Sequence, residues 1–181
     1  MKEKQLTTPL TEADVRKLKV GDILLLSGTV FTARDKAHKR IIDYLRRKEK
    51  LPFDFGGGVI YHCGPLAKRA GKGWKVVSAG PTTSARMNDT APEVIGKLGL
   101  KAVVGKGGMS EAVSRTLQKE GCVYLAYTGG AGVLAADKIE GVAGVFWLDL
   151  SAPEAVWMLK VSSFGPLVVA MDAHGGSLYN R

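Results

Sequence analysis

Three basic side chains stand beside groups with which they could do chemistry. Arg86 closes the run Gly80-Pro81-Thr82-Thr83-Ser84-Ala85-Arg86, in which three successive hydroxyls precede a guanidinium. Hydroxyls both donate and accept hydrogen bonds, and the planar guanidinium fork matches a carboxylate. Lys106 sits within Gly105-Lys106-Gly107-Gly108, where flanking glycines would let a ligand approach the backbone beside a cation. Arg34 precedes Asp35 at the head of a basic helical stretch. A cation at that end of a helix suits a bound anion, whereas Asp35 suits the helix dipole. Together these groups point to a small polyanionic ligand, without a complete catalytic set. Each also has a plainer reading. Thr82 or Ser84 can N-cap a helix, residues 105–108 can be a flexible surface turn, and Asp35 can pair with His38 one turn later. Arg86 favours the ligand, because a cation in a helix's first turn opposes the macrodipole unless an anion is near.

Such groups need strand ends and helix starts to hold them. The apolar run 74–79 reads as a short buried strand, stopped by Gly80-Pro81. The end of a strand in an open α/β sheet is where ligand-binding groups collect. Upstream, Thr11 with Asp14 starts a short helix, residues 23–26 form a strand, and a helix runs over 34–47. Ala37, Ile41 and Leu45 share one face of that helix. A strand over 59–62 follows, and the basic turn 68–73 suggests a hairpin. Downstream, a helix over 91–98 has Pro92 in its first turn and Gly99 just past its end. A strand over 102–104 leads to a helix capped by Ser110 and closed by Gly121. Strands over 122–127, 142–147 and 167–172 complete the pattern, with a helix over 153–160 between the last two. The alternation predicts an α/β sandwich built on a mixed sheet.

The bulk properties narrow the functional classes. A chain of 181 residues with 45% hydrophobic content fits one globular domain, 1–181. No apolar run approaches the ~20 residues of a membrane span, and Met1-Lys2-Glu3-Lys4 leads into no apolar signal core. A cytoplasmic protein is expected. Cys63 and Cys122 are too few for a disulfide framework, and His38, His62 and His174 lack metal-ligand spacing. No metal site is expected. The net charge of +9 admits nucleic acid or small anions as partners. The basic stretch 36–50 contains only Tyr44 as an aromatic, which suits a solvated helix face better than a nucleic-acid surface. Neither residues 105–108 nor Thr128-Gly129-Gly130-Ala131-Gly132 has the spacing of a P-loop or a dinucleotide fingerprint.

Several of these strings, in this order, resemble the class I fumarate hydratases, and more narrowly their β subunit or C-terminal domain. They are Phe31-Thr32-Ala33-Arg34-Asp35-Lys36-Ala37-His38-Lys39-Arg40, Tyr61-His62-Cys63-Gly64-Pro65, Gly80-Pro81-Thr82-Thr83-Ser84-Ala85-Arg86-Met87, Val104-Gly105-Lys106-Gly107-Gly108-Met109 and Phe164-Gly165-Pro166-Leu167-Val168-Val169. The resemblance covers residues 6–179. It implies a swivelling three-layer β/β/α domain that closes over substrate, and the reversible hydration of fumarate to L-malate. It also implies a 4Fe-4S cluster carried by an α subunit partner, in an α2β2-type assembly. By match to the motifs, Thr82 would be the general base and Thr83 its neighbour in the site. Arg34, Arg86 and Lys106 would hold the dicarboxylate. The β subunit of L(+)-tartrate dehydratase shares most of these motifs, although residues 128–132 look more fumarase-like. A non-catalytic anion-binding module of the same fold is a further alternative. Retention of Thr82, Arg86 and Lys106 together counts against it.

Overall fold

The computed structural model describes residues 3–179. It begins with β1 (Glu3–Thr7), which lies parallel to a later strand across a short helix, α1 (Glu12–Val15). A full capping box starts α1: Thr11 Oγ1 accepts from the Asp14 amide, and the Asp14 carboxylate accepts from the Thr11 amide. Next come β2 (Ile23–Thr32) and α2 (Asp35–Arg47). Helix α2 buries Ala37, His38, Ile41 and Ile42, and ends on Lys48 in the left-handed conformation. After β3 (Val59–Tyr61), β4 (Leu66–Ala70) and β5 (Gly73–Ser78) form a separate antiparallel pair. Two helices flank β6 (Ala102–Gly105): α3 (Ala91–Leu98) and α4 (Glu111–Glu120), closed by left-handed Gly99 and Gly121 respectively. Ser110 Oγ caps α4 by accepting from the Val113 amide. The chain finishes with β7 (Val123–Ala126), α5 (Gly132–Asp137), β8 (Ile139–Phe146) and the 16-residue β9 (Val156–Met171).

The large sheet is mixed, as its sequence suggested. Strands β1, β2, β3, β6 and β7 run parallel, and β9 runs antiparallel to β2, β7 and β8. Because β9 pairs with both β2 and β7, the pairings β2–β3–β6–β7–β9–β2 form a closed circuit. A register shift opposite Leu24 and Leu26 bends β9 where Gly165 sits at φ 149°. A Cβ there would meet the Leu24 carbonyl at 2.7 Å, so only glycine fits the bend.

Alternate residues of the parallel strands feed two cores. Val59, Tyr61, Val104, Val123 and Leu125 pack with Trp157, Leu159, Phe164 and Leu167 of β9 and Leu24 and Leu26 of β2. Their neighbours Ile60, Val103 and Tyr124 face α2, α3 and α4 through Ile41, Ile95, Val113 and Leu117. Short parallel strands that are apolar on both sides are what such a double covering requires.

Three expectations need correction. The run 74–79 is not a fully buried strand: it belongs largely to β5, in the small hairpin outside the large sheet, and is only partly buried. The hairpin itself exists, but the basic stretch read as its turn begins inside β4. Residues 153–160 are not helical. Pro153 opens only a single 3-10 turn, Ala152–Glu154, and β9 follows at once. Valine and tryptophan at 156–157, packed against β2 and β8, outweigh the helix-start signal of proline. Helix α5, which begins at the last glycine of residues 128–132, had no sequence signal. Among the described residues, no helix is long and apolar enough to cross a membrane. Met1 and Lys2, at the start of the stretch read for a signal core, lie outside the described residues.

Candidate active site

The parallel strands β2, β3, β6 and β7 end along one edge of the sheet, and the residues that follow them build the site. Ala33 N donates to Tyr61 O, so Arg34 leaves the edge beside β3. His62 N donates to Val104 O, which holds the chain after β3 against β6. The hydroxyl stretch is grafted onto this edge from outside. Cys63 bridges Pro81, Thr82 N donates to His62 O at 2.7 Å, and Thr83 pairs in parallel with Lys106. Ser84 N then donates to Lys106 O at 3.1 Å. The strand before Gly80 therefore lies outside the large sheet, yet the residues after it act as an added rung at the carboxyl edge. That is where open α/β sheets bind ligands.

All five candidates come together there. Arg86 grips Asp35 side-on, with Nε 3.0 Å from Oδ1 and Nη2 3.0 Å from Oδ2. Arg34 Nε lies 3.2 Å from the same Oδ2 and 3.1 Å from Glu154 Oε1. Thr83 and Lys106 are joined by the bridge, and Thr82 lies between them and His62. The Lys106 stem runs beside Gly129 of the glycine-rich stretch, where a Cβ would stand 3.7 Å from its Cδ. Among the described residues, neither the Thr82 nor the Thr83 hydroxyl is used in a hydrogen bond, and the Lys106 ammonium forms no ion pair. Thr83 is exposed and the Arg86 side chain is 52% exposed. The arrangement is an open shelf; surface clefts of 230, 280 and 390 Å³ lie elsewhere on the molecule.

Neither Thr82 nor Ser84 caps a helix: residues 84–87 form one 3-10 turn whose cap residue, Thr83, makes no side-chain cap bond. A single turn has no macrodipole to speak of, so the dipole argument for Arg86 does not apply. Its charge is met instead by Asp35. Burial would push the Asp35 carboxyl up, but hydrogen bonds from its own amide and Arg34, with the Arg86 and Arg34 charges, hold it below the usual range. Asp35 does not bond His38, whose Nδ1 lies 3.2 Å from Thr90 Oγ1.

Behind the shelf is a buried polar cluster that sequence reading missed. Ser84 Oγ lies 2.8 Å from His62 Nδ1 and accepts from Tyr124 OH at 3.0 Å. The His38 and His62 rings stand edge to face, centroids 5.1 Å apart, and Nε2 of each is buried with no hydrogen-bond partner among the described residues. Burial lowers the His38 pKa to about 4 against the opposing pull of Asp35, and lowers that of His62 well below normal, so both rings are neutral. Gly105 is essential to this packing, because a Cβ there would run into Ser84 Oγ. Nothing in spacing along the chain foretold that Ser84 points inward while Thr82 and Thr83 stay at the edge.

Three cations and two hydroxyls gathered at the edge of a mixed α/β domain are what fold and site together define. The family model described as "Fumarase C-terminus" matches residues 1–181, and the chain belongs to that family. It is 53% identical over 173 residues to a Methanocaldococcus jannaschii protein named "Putative L(+)-tartrate dehydratase subunit beta", covering 95% of this chain and 89% of that one. It is 41% identical over 176 residues to the Escherichia coli "L(+)-tartrate dehydratase subunit beta", covering 97% and 86%. A Geobacillus stearothermophilus protein named "Putative fumarate hydratase class I" is 43% identical over 175 residues, 96% of this chain but 33% of that longer one. The relatives are hydro-lyase subunits or contain such a region.

Iron–sulfur ligation does not fit the residues of this chain. Among the described residues no three His, Cys, Asp or Glu side chains gather as a metal site. Cys63 and Cys122 are both buried, belong to different cores, and have thiols pushed up by burial.

Proposed function

We propose that this chain is the β subunit of a class I fumarate hydratase, binding a C4 dicarboxylate on the shelf formed by Arg34, Thr82, Thr83, Arg86 and Lys106. The observation that carries the reading is the convergence of three cations and two unengaged hydroxyls at one sheet edge. Removing a proton alpha to a carboxylate builds charge on that carboxylate, and fixed cations favour the transition state most where water is excluded. Arg34, Arg86 and Lys106 supply that charge. Thr82 accepts the proton as its alkoxide, formed when its hydroxyl proton passes to solvent before the site is covered; the surrounding cations favour that charged form. The shelf is open, so a second body must cover it to exclude water. In the proposal that body is an α subunit, which also carries the 4Fe-4S cluster, in an α2β2-type assembly, with this chain swivelling as a β/β/α domain to close.

A second reading, L(+)-tartrate dehydratase, is favoured by the names of two of the relatives above. Both substrates are C4 dicarboxylates, so the shelf serves either. The test is anaerobic mixing with the iron-loaded α partner, followed by parallel assays with fumarate and L(+)-tartrate. Hydration of fumarate only in the mixture supports the proposal, and preference for tartrate moves the chain to the second reading. Turnover by the purified chain alone contradicts both.

A further inference from the structure

We propose that Asp35 and Glu154 are positioning residues that grip the two site arginines by their Nε edges and so aim the remaining donors at the ligand. The inference rests on the dicarboxylate reading and adds the groups that orient its cations. A guanidinium has five N–H donors in a fixed fork. Arg86 donates Nε to Asp35 and sets Nη2 in ionic contact with the same carboxylate, while Arg34 donates Nε to Asp35 with Glu154 Oε1 in ionic contact 3.1 Å from that nitrogen. The contact given for Arg34 with each of the two carboxylates runs through Nε. Arg34 is also fixed from the far side. A Cβ on Gly64 would stand 2.9 Å from its Nη1 and 2.7 Å from the Pro153 carbonyl, so the guanidinium lies against bare backbone beside the Cys63–Pro81 bridge.

The carboxylates are themselves held. Glu154 accepts from the Lys36 amide at 2.8 Å through Oε2, while Oε1 meets Arg34. Asp35 is the first residue of α2, where its charge suits the dipole. One oxygen, Asp35 Oδ2, touches both guanidiniums. Two like charges can sit this close because a shared counter-ion lies between them. Exposed surface pairs contribute little, but these carboxylates are only 24% and 13% exposed, within reach of the substrate shelf. Three site cations against two carboxylates leave a net positive charge for a dianion.

The test uses the ¹⁵N-labelled full chain and the assembled enzyme. Arg34 and Arg86 Nε–H signals are assigned with Arg34→Lys and Arg86→Lys, and their exchange with solvent is measured for wild type, Asp35→Asn and Glu154→Gln. Asp35→Asn should speed Arg86 Nε–H exchange at least tenfold, and Glu154→Gln should do so for Arg34. In the assembled enzyme Asp35→Asn should raise the KM for L-malate on the order of tenfold or more, with a smaller change in kcat and little change in Tm. Asp35→Glu, which keeps the charge, should recover part of the loss. Glu111→Gln, in an exposed pair with Arg115 on α4, should alter none of these. Unchanged Nε–H exchange in Asp35→Asn overturns the proposal, as does faster exchange with an unchanged KM. If the wild-type assembly acts on neither fumarate nor tartrate, the proposed function falls, and the exchange measurement by itself decides whether the clamp exists.

Discussion

Acid should unfold this protein earlier than its carboxylates require, because two histidines are buried neutral beside the site. The His38 pKa is lowered by burial from 6.5 to about 4, and that of His62 well below normal. A depressed folded-state value means the unfolded chain takes up a proton that the folded chain refuses. The stabilising term is therefore complete above pH 6.5 and is lost as pH falls toward the folded value. Between pH 7 and pH 5, His38 alone should cost about 2 kcal/mol at 1.36 kcal/mol per pKa unit, and His62, lowered by burial, adds to the loss in the same direction. Against a total stability of roughly 5–15 kcal/mol, that loss is large. Asp22, Asp35 and Asp172 are held below the ordinary carboxylate range, so their contributions disappear only at lower pH. Urea unfolding at pH 7, 6 and 5 separates the two windows. His38→Asn, which keeps a polar atom near Thr90 but cannot titrate, should make the slope shallower by about 2 kcal/mol across that window. A wild-type stability flat between pH 7 and 5, or an equal slope in His38→Asn, would refute the reasoning.

Three further outcomes follow from the site. Arg86→Lys keeps the charge but loses the two-point fork on Asp35, and should lower catalytic efficiency by roughly 10–1000-fold, or about 1.4–4 kcal/mol of transition-state stabilisation; steady-state kinetics of the assembly check this. Ser84→Ala strands the Tyr124 hydroxyl and His62 Nδ1 in the interior, which should cost about 1–3 kcal/mol in urea titrations at pH 7. Gly105→Ala drives a methyl into Ser84 and should cost about 1–3 kcal/mol while also shifting Lys106, visible as a weakened KM in the assembly.

The parts of the fold that were legible in the sequence were those with local causes. Ser110 and Gly121 bracket α4 because capping and left-handed closure act within a turn, and the 3.6-residue period of Ala37 and Ile41 marks the buried face of α2. Long-range pairing was not legible. The 153–160 segment reads as a helix until β2 and β8 are placed beside it, and the run before Gly80 reads as a buried strand because nothing local shows that it pairs only with β4. At the site, residue types revealed Arg34, Thr82, Thr83, Arg86 and Lys106 as candidates. Their assembly depends on bridges from Cys63 to Pro81 and from Thr83 to Lys106, across 18 and 23 positions of sequence. Glu154 was hidden inside a segment read as helix, and Asp35 was read only against its own helix.

The central claim is that this chain supplies the proton acceptor as well as the binding charge, and exchange of the malate C3 proton with solvent tests it most directly. Thr82→Val and Thr83→Val, each nearly isosteric, are assembled anaerobically with the α partner and scored for exchange in deuterated water and for hydration. Thr82→Val should lower both by ~10²–10⁴, while Thr83→Val should mainly weaken substrate binding. Full exchange in Thr82→Val with loss in Thr83→Val would assign the base to the wrong threonine. Full exchange in both would place the base on the partner and leave this chain only the binding charge.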